Sequence, residues 1–211
     1  LLCPPYDVIS PEQQIALQKV SPYNAIRLEL GIDMPADSDN VNRYTRSADL
    51  LEEWLSQDIL LTEEDSAIYL IQEEFPYKGS NLTRRSVVTR VRLEEFSKGI
   101  VLPHEETSQG PKKDRMELLR ATKANLSPIM GIYRDNSGEV GTIIKRVSET
   151  QPLAAARYGD IAVKLWVVTD KDTLDIITKS MKAVPIYLAD GHHRYETALS
   201  YRDIQRASRG L

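Results

Sequence analysis

The sequence predicts an α+β fold, with a mixed sheet built from hairpins and strand–helix units. Two strand patterns, AIYLIQEEF (67–75) and SVVTRVRLEEF (86–96), flank the glycine-containing turn PYKGSN, which is typical of an antiparallel hairpin. Further along, the buried strand pattern AVKLWVVT is followed at once by the helix pattern DKDTLDIITKSMKA. Hairpins and strand–helix alternation in one chain favour the α+β class.

The first sixty residues predict two helices and one strand. Ser10 is placed to cap a helix that Pro11 opens, with Ile15 and Leu17 facing inward. The alternation of apolar and charged residues in AIRLEL (25–30) predicts a half-buried strand that exposes Arg27. Residues 40–57 predict a helix whose apolar face is formed by Val41, Tyr44, Ala48, Leu51, Trp54 and Leu55.

The remaining elements follow in short alternation. We expect a short strand near residue 101, a polar loop, a helix over 112–124 and a strand over 129–133. The next predicted element is a helix over GEVGTIIKRVSET, and it is followed by the strand and helix described above, with Asp170 as the helix cap. The chain then ends with the strand VPIYLA and a last helix. Without repeats or an evident linker, residues 1–211 predict one α+β domain or a fragment of a longer protein, with a subdivision near residues 100–110 as the alternative.

Composition excludes several classes of protein. The chain has 211 residues, 41% of them hydrophobic and 27% charged, and a net charge of -4, which disfavours nucleic acid as a partner of this segment. No apolar run approaches a membrane span, so no membrane partner is expected. The one cysteine, Cys3, cannot form an internal disulfide and suits a reducing compartment, so the sequence predicts a cytoplasmic protein.

The stretch YLADGHHRYETALSYRD (187–203) carries the densest chemistry, because it holds two of the three histidines. Gly191 allows a sharp turn from strand to helix, and the first amides of that helix form an anion site. His192, His193 and Arg194 add hydrogen-bond donors suited to phosphate. Asp190 is negatively charged and would repel a phosphate directly, so it is predicted to bind Mg²⁺ or to act as a general base. The structural alternative is that Asp190 caps the helix and that the histidines lie in a solvated first turn.

Within this stretch, DGHHRYETA resembles the Asp-Gly-x-His-Arg-x-x-x-Ala signature of the ParB/sulfiredoxin superfamily. The resemblance implies a ParB/sulfiredoxin-like fold in the C-terminal half and nucleotide phosphates bound at the start of the helix. In the free-serine kinase branch, the aspartate corresponding to Asp190 serves in catalysis. A second branch consists of DNA clamps that hydrolyse CTP. A third branch repairs oxidised peroxiredoxin with a cysteine of the same turn, and this chain has a histidine at that position.

A second resemblance covers nearly the whole chain. The motifs PPYDVIS, HEET, KKDRMELL, NLSPIMGIY, LWVVTD and YLADGHHRYETAL occur in this order, and the chain is similar in this to the bacterial and archaeal family named domain of unknown function 1015. Full-length members of that family continue past this C-terminus. The resemblance implies no activity.

The third histidine lies in LPHEETSQGPKKDR (102–115), beside a carboxylate. Glu105 is predicted to be a general base or a Mg²⁺ ligand, and His104 to orient a phosphate. A zinc site is less favoured because HEET lacks the second histidine four residues on, and a solvated surface pair is the structural alternative. All three histidines fall in two polar motifs, so we expect His104, Glu105 and residues 190–194 to line one pocket.

Two further segments are predicted to complete this pocket. Lys112, Lys113 and Arg115 lie near the start of a helix, where cations oppose the helix dipole unless an anion binds nearby, so Arg115 is the expected second phosphate contact. Tyr6 and Asp7, in the proline-stiffened turn PPYDVIS, are expected to form one wall.

These observations lead to one function and two rivals. The favoured function is a nucleotide-dependent phosphotransferase or phosphohydrolase acting on a small molecule, with Mg²⁺ and a nucleotide, or another phosphate-bearing small molecule, bound at the site. The first rival is a non-catalytic nucleotide-sensing module, and the second is a metal-dependent hydrolase.

Overall fold

A computed structural model describes residues 1–210, which form two compact units. The helical unit comprises Leu1–Thr62, Pro103–Gly131 and the chain from Leu188 onward. The sheet unit comprises Glu63–Leu102 and Ile132–Tyr187. The architecture is α+β, as the sequence predicts.

Seven α-helices and two 3₁₀ turns lie in the described chain. The helices are α1 (Pro11–Val20), α2 (Ile26–Glu29), α3 (Arg43–Ser56), α4 (Gln109–Thr122), α5 (Glu139–Ser148), α6 (Lys171–Met181) and α7 (His192–Ser208). The 3₁₀ turns are Tyr6–Val8 and Phe96–Lys98. Two predicted caps are confirmed: Ser10 accepts the amide of Gln13 in a capping box, and Asp170 accepts the amide of Thr173.

Seven strands form two open sheets within residues 1–210. The strands are β1 (Ile68–Tyr77), β2 (Ser80–Val88), β3 (Val101–Leu102), β4 (Met130–Ile132), β5 (Ala154–Tyr158), β6 (Ile161–Val168) and β7 (Ile186–Asp190). The four-stranded sheet has the order β2-β1-β6-β5 and is antiparallel throughout. The three-stranded sheet has the order β3-β7-β4, and β3 runs parallel to β7.

The predicted strand AIRLEL is wrong, because residues 26–29 form the helical turn α2. The Asn24 side chain accepts the Ile26 amide and so starts this turn. Ile26 and Leu28 are buried, as the pattern implies, but four residues are too few to separate a helical period from a strand period. The inward position predicted for Ile15 is also wrong, since its side chain is 50% exposed.

The hairpin is present, but its second strand begins earlier than predicted. Lys78 and Gly79 both have positive φ angles, of 47° and 79°, as a two-residue hairpin turn requires. This turn pairs Tyr77 with Ser80 and sets the register, so the strand ends at Val88. The edge strand β5 was not predicted from the sequence.

The helical unit places α4 between α3 and α7. The helices α3, α4 and α7 contribute buried apolar side chains to this unit, and these include Trp54, Leu118, Leu119, Tyr195 and Leu199. The end of β7 leads directly into α7, so the first turn of α7 is fixed at the edge of this core. None of the helices in residues 1–210 is long and apolar enough to cross a membrane.

Candidate functional site

The turn between β7 and α7, residues 190–194, is shaped by Gly191. This residue is the N-cap of α7 and has a φ of 89°, a conformation that favours glycine. No side chain caps the helix, and its first backbone bond runs from the Tyr195 amide to the Gly191 carbonyl. The predicted alternative in which Asp190 caps α7 is therefore wrong. The amides before Tyr195 have no intrahelical partner, as at every helix start, and are available to a ligand.

The two motifs that contain the three histidines meet at this turn. The rings of His104 and His192 lie edge to face with centroids 4.5 Å apart. The His104 amide donates to His192 Nε2 over 3.4 Å, and His104 Nδ1 lies 2.7 Å from the Leu188 carbonyl oxygen. Because a carbonyl oxygen only accepts, His104 Nδ1 carries the proton. The backbone therefore fixes the position and the tautomer of His104.

His192 is buried and has one nitrogen without a directed hydrogen bond. Its side chain is 1% exposed, and Nδ1 lies 2.9 Å from Glu105 Oε1. The distance suits a hydrogen bond, but the direction does not, and Nδ1 is the one buried side-chain nitrogen or oxygen in the described residues without a partner. A hydrogen bond weakens steeply with misalignment, so Glu105 is at most a weak acceptor for this nitrogen. A buried N–H group thus points beside a half-exposed carboxylate.

The 104–108 loop is held against α7 by further side chains. His193 Nε2 accepts the Ser108 amide over 3.1 Å. Glu196 accepts hydrogen bonds from Thr107 over 2.6 Å and from Lys112 over 2.9 Å. Burial raises the pKa of Glu196, but the bonds from Thr107 and Lys112 outweigh it and bring that pKa below its ordinary value.

Asp190 and Arg194 are paired with each other in the structure. Arg194 Nη2 lies 2.6 Å from Asp190 Oδ2, and Arg194 Nη1 donates to the Pro128 carbonyl over 2.6 Å. The Arg194 side chain is 10% exposed and that of Asp190 is 54% exposed. The guanidinium predicted to bind phosphate is thus held near the free amides by protein contacts, while the carboxylate remains accessible.

Arg115 lies in a buried charge network and not on the surface where a second phosphate contact was expected. Its side chain is 6% exposed and lies 2.8 Å from Glu29 Oε1, and it also pairs with Asp114. Asp114 accepts further bonds from Arg43 and Tyr44 of α3. These protein groups use the donors of Arg115, which joins α4 to α2, while Asp114 joins α4 to α3.

Tyr6 covers Arg115, and Asp7 lies next to it on the exposed side. The Arg115 guanidinium carbon lies 3.9 Å from the centre of the Tyr6 ring. Burial raises the pKa of the Tyr6 hydroxyl, while the positive charges of Arg115 and Arg194 act to lower it. Asp7 is exposed, and the negative charge of its carboxylate acts to raise the pKa of Tyr6.

A small cleft adjoins these groups. It has a volume of about 40 Å³, and its lining includes Glu29, Arg115, Ser127, Arg194 and Thr197. Neither His104 nor Glu105 lines it. Pockets that enclose a small organic ligand measure hundreds of Å³, so a nucleotide at the 190–194 turn would lie on open surface and not within this cleft.

Sequence reasoning missed the carboxylates that organise these groups. Glu29 and Glu196 pair with cations 86 and 84 residues away in sequence. The available signal was weak: Glu196 follows His192 and His193 by one helical turn, so it lies on the face that meets the 104–108 loop. In residues 1–210, no group of three or more His, Cys, Asp or Glu side chains is placed to hold a metal ion.

Comparison with protein families gives one match. The family described as a protein of unknown function (DUF1015) matches residues 1–210. Comparisons with curated proteins and with solved structures give no match. Since the match spans almost all of the sequence, from the PPYDVIS turn to α7, the chain belongs to the DUF1015 family.

Proposed function

We propose that the protein is a nucleotide-dependent phosphotransferase or phosphohydrolase acting on a small molecule, with the nucleotide phosphates held at the start of α7. The observation that carries this proposal is the buried His192 N–H group, which lacks a directed partner and lies at the uncapped start of a helix. A buried donor without a well-directed partner is costly, which favours a ligand that accepts from it.

The start of α7 supplies the remaining donors. Its first amides are free, and the positive end of the dipole of a 17-residue helix favours an anion there. Arg194 lies at the same turn, so a phosphate group would compete with Asp190 for its guanidinium. This exchange would free the Asp190 carboxylate as the ligand arrives.

Asp190 and Glu105 are the proposed acid–base and metal-binding groups. Both side chains are 54% exposed, so each is accessible to a substrate. Asp190 would take the proton of the acceptor hydroxyl, which agrees with the catalytic role that the ParB/sulfiredoxin resemblance implies for this aspartate. Mg²⁺ commonly uses one or two carboxylates together with phosphate oxygens and water, and Asp190 and Glu105 are the carboxylates offered here.

The test is the substitution Asp190→Asn. We expect it to leave nucleotide affinity within about tenfold while lowering turnover roughly a hundredfold or more, because a base or metal ligand acts where charge moves in the transition state. Affinity is measured by titration of ATP, GTP and CTP with Mg²⁺, and turnover by phosphate release or transfer. The matched control is Asp203→Asn, which removes the same charge from an exposed aspartate of α7 that also pairs with an arginine.

The outcomes separate the candidate functions. Binding without turnover in the unmodified protein would replace the enzyme proposal with the nucleotide-sensing module. Undiminished turnover in Asp190→Asn would remove Asp190 from the mechanism. If ATP, GTP and CTP all fail to bind, the nucleotide proposal is wrong.

A further inference from the structure

The three histidines differ in whether a ring nitrogen is free to react. The proton of His104 is on Nδ1, so in the neutral ring Nε2 carries the lone pair. In His192 and His193 the corresponding Nε2 atoms already accept backbone amides, of His104 and Ser108. His104 is an exposed residue, and its Nε2 atom makes no hydrogen bond within residues 1–210. His104 is therefore the exposed histidine of this group, and its lone pair is not shared with a protein donor.

The ring of His104 lies beside the proposed phosphate site. It packs edge to face on His192, the first residue of α7, with a centroid distance of 4.5 Å. It is held at the backbone by His192 and at Nδ1 by Leu188, so its orientation is fixed before a ligand binds. A nucleophile whose ring orientation is already fixed needs little reorganisation before it reacts.

We propose that His104 Nε2 is the nucleophile that accepts the phosphoryl group, so that the reaction proceeds through a phosphohistidine. This inference rests on the proposed function and deepens it, because it divides the transfer into two steps. It also assigns a covalent modification site to the 104–108 loop.

The two steps balance as follows. In the first, the Nε2 lone pair forms an N–P bond with the terminal phosphorus of a nucleoside triphosphate, and the bridging P–O bond breaks with its electron pair leaving on the nucleoside diphosphate. In the second, a hydroxyl of the acceptor, or water, forms a P–O bond and the N–P bond returns its electron pair to Nε2. The hydroxyl proton goes to Asp190.

The surroundings of His104 suit the charges that these steps create. When Nε2 is phosphorylated, the ring gains positive character, and the Leu188 carbonyl oxygen accepts from its Nδ1–H group. The phosphoryl group carries negative charge beside the free amides of α7 and the buried His192 N–H group. Both charges are thus met by dipoles already in place.

The experiment follows phosphate onto the protein. The full chain is incubated with Mg²⁺ and ATP, GTP or CTP labelled at the terminal phosphate, quenched in alkali, where phosphohistidine is stable, and the label is mapped by mass spectrometry. We expect an acid-labile label on His104. The variant His104→Asn retains a side-chain donor near the position of Nδ1 but lacks Nε2, so its label should fall by at least about tenfold. Asp203→Asn should be labelled like the unmodified protein.

A second arm uses phosphoramidate, which phosphorylates reactive histidines without a nucleotide. Preferential modification of His104 over His193 supports His104 as the phosphoryl acceptor. If no nucleotide binds, the proposed function fails, and with it the nucleotide as the phosphoryl donor. Equal modification of His104 and His193 overturns the inference. Nucleotide binding and turnover without any alkali-stable label, or a label confined to His192 or His193, also overturns it and leaves the proposed function standing.

Discussion

Arg115 shows how a residue that looks like a ligand contact can be required by the fold. The sequence places it near the start of a helix among lysines, where an anion would be welcome. In the structure its guanidinium is buried between Glu29 and Asp114 and covered by Tyr6. A buried cation must be paired, and these partners satisfy that requirement without a ligand.

We therefore expect Arg115→Gln to lower the free energy of unfolding by about 3 to 5 kcal/mol, because it leaves two carboxylates without their buried cation. The control is Arg120→Gln on the same helix, whose partner Glu117 lies one turn away. Those two side chains are 49% and 42% exposed. An exposed pair of this kind contributes about 0 to 0.5 kcal/mol. Urea denaturation measures both variants, and equal small losses would contradict the structural role of Arg115.

At the scale of elements, the contact between α7 and the 104–108 loop depends on Glu196. This carboxylate accepts from Thr107 and Lys112 and is only partly exposed. Its pKa is lowered in the folded protein, so its stabilising contribution is present above the unfolded pKa of about 4.3. That contribution is lost as the pH falls through the lower, folded pKa.

The corresponding prediction concerns Glu196→Gln, which cannot titrate. We expect the unmodified protein to be the more stable of the two at pH 7, and the difference in unfolding free energy to shrink below about pH 4. Urea denaturation between pH 7 and pH 3 measures it. Thr107→Val removes one of the bonds that lower the pKa of Glu196, so in that variant the loss should begin at a higher pH. A difference that stays constant with pH would show that Glu196 is not stabilised in its charged form.

At the scale of the whole molecule, each unit has apolar residues of its own. In the sheet unit, the buried cluster consists of Ile68, Ile143, Val168 and Ile177, from one face of the sheet and from the helices α5 and α6. Neighbouring residues of α6 differ in burial: Ile177 is 7% exposed and Ile176 is 42% exposed. The helical period of α6 thus separates a core position from a surface position.

This difference gives a matched pair of variants. Ile177→Ala should lower the free energy of unfolding by about 2 to 5 kcal/mol, because it removes buried methyl groups and leaves a cavity. Ile176→Ala should change it by less than about 1 kcal/mol, since its side chain is substantially exposed and alanine favours a helix. Comparable losses in both variants, measured by urea denaturation, would contradict the assignment of this core.

The α+β class could be predicted because caps and periodic patterns are local. Ser10 and Asp170 cap their helices as their sequence neighbours imply. The strand β2 was placed too late because its register depends on the backbone of Lys78 and Gly79, and a six-residue turn motif allows several registers. A local pattern also could not separate helix from strand over the four residues of α2.

The candidate site was predictable in part. Three histidines in two polar motifs indicated that those motifs meet, and the structure brings His104 and Glu105 against His192. The pairing of Arg115 with Glu29 could not be anticipated, because it joins residues 86 positions apart and depends on how α2 and α4 pack. Sequence patterns identify groups that are chemically capable, whereas burial decides which of them remain available.

The order of the segments along the chain has a consequence for synthesis on the ribosome. The sheet unit ends at Tyr187, whereas the helical unit needs α7, the last element of the described chain. His104 emerges 88 residues before His192. At translation rates of roughly 5 to 20 residues per second, the His104 loop waits roughly 4 to 18 seconds for the helix on which it packs. The sheet unit is complete at Tyr187, shortly before α7 is made, whereas the histidine loop remains without its packing partner for the whole of that interval.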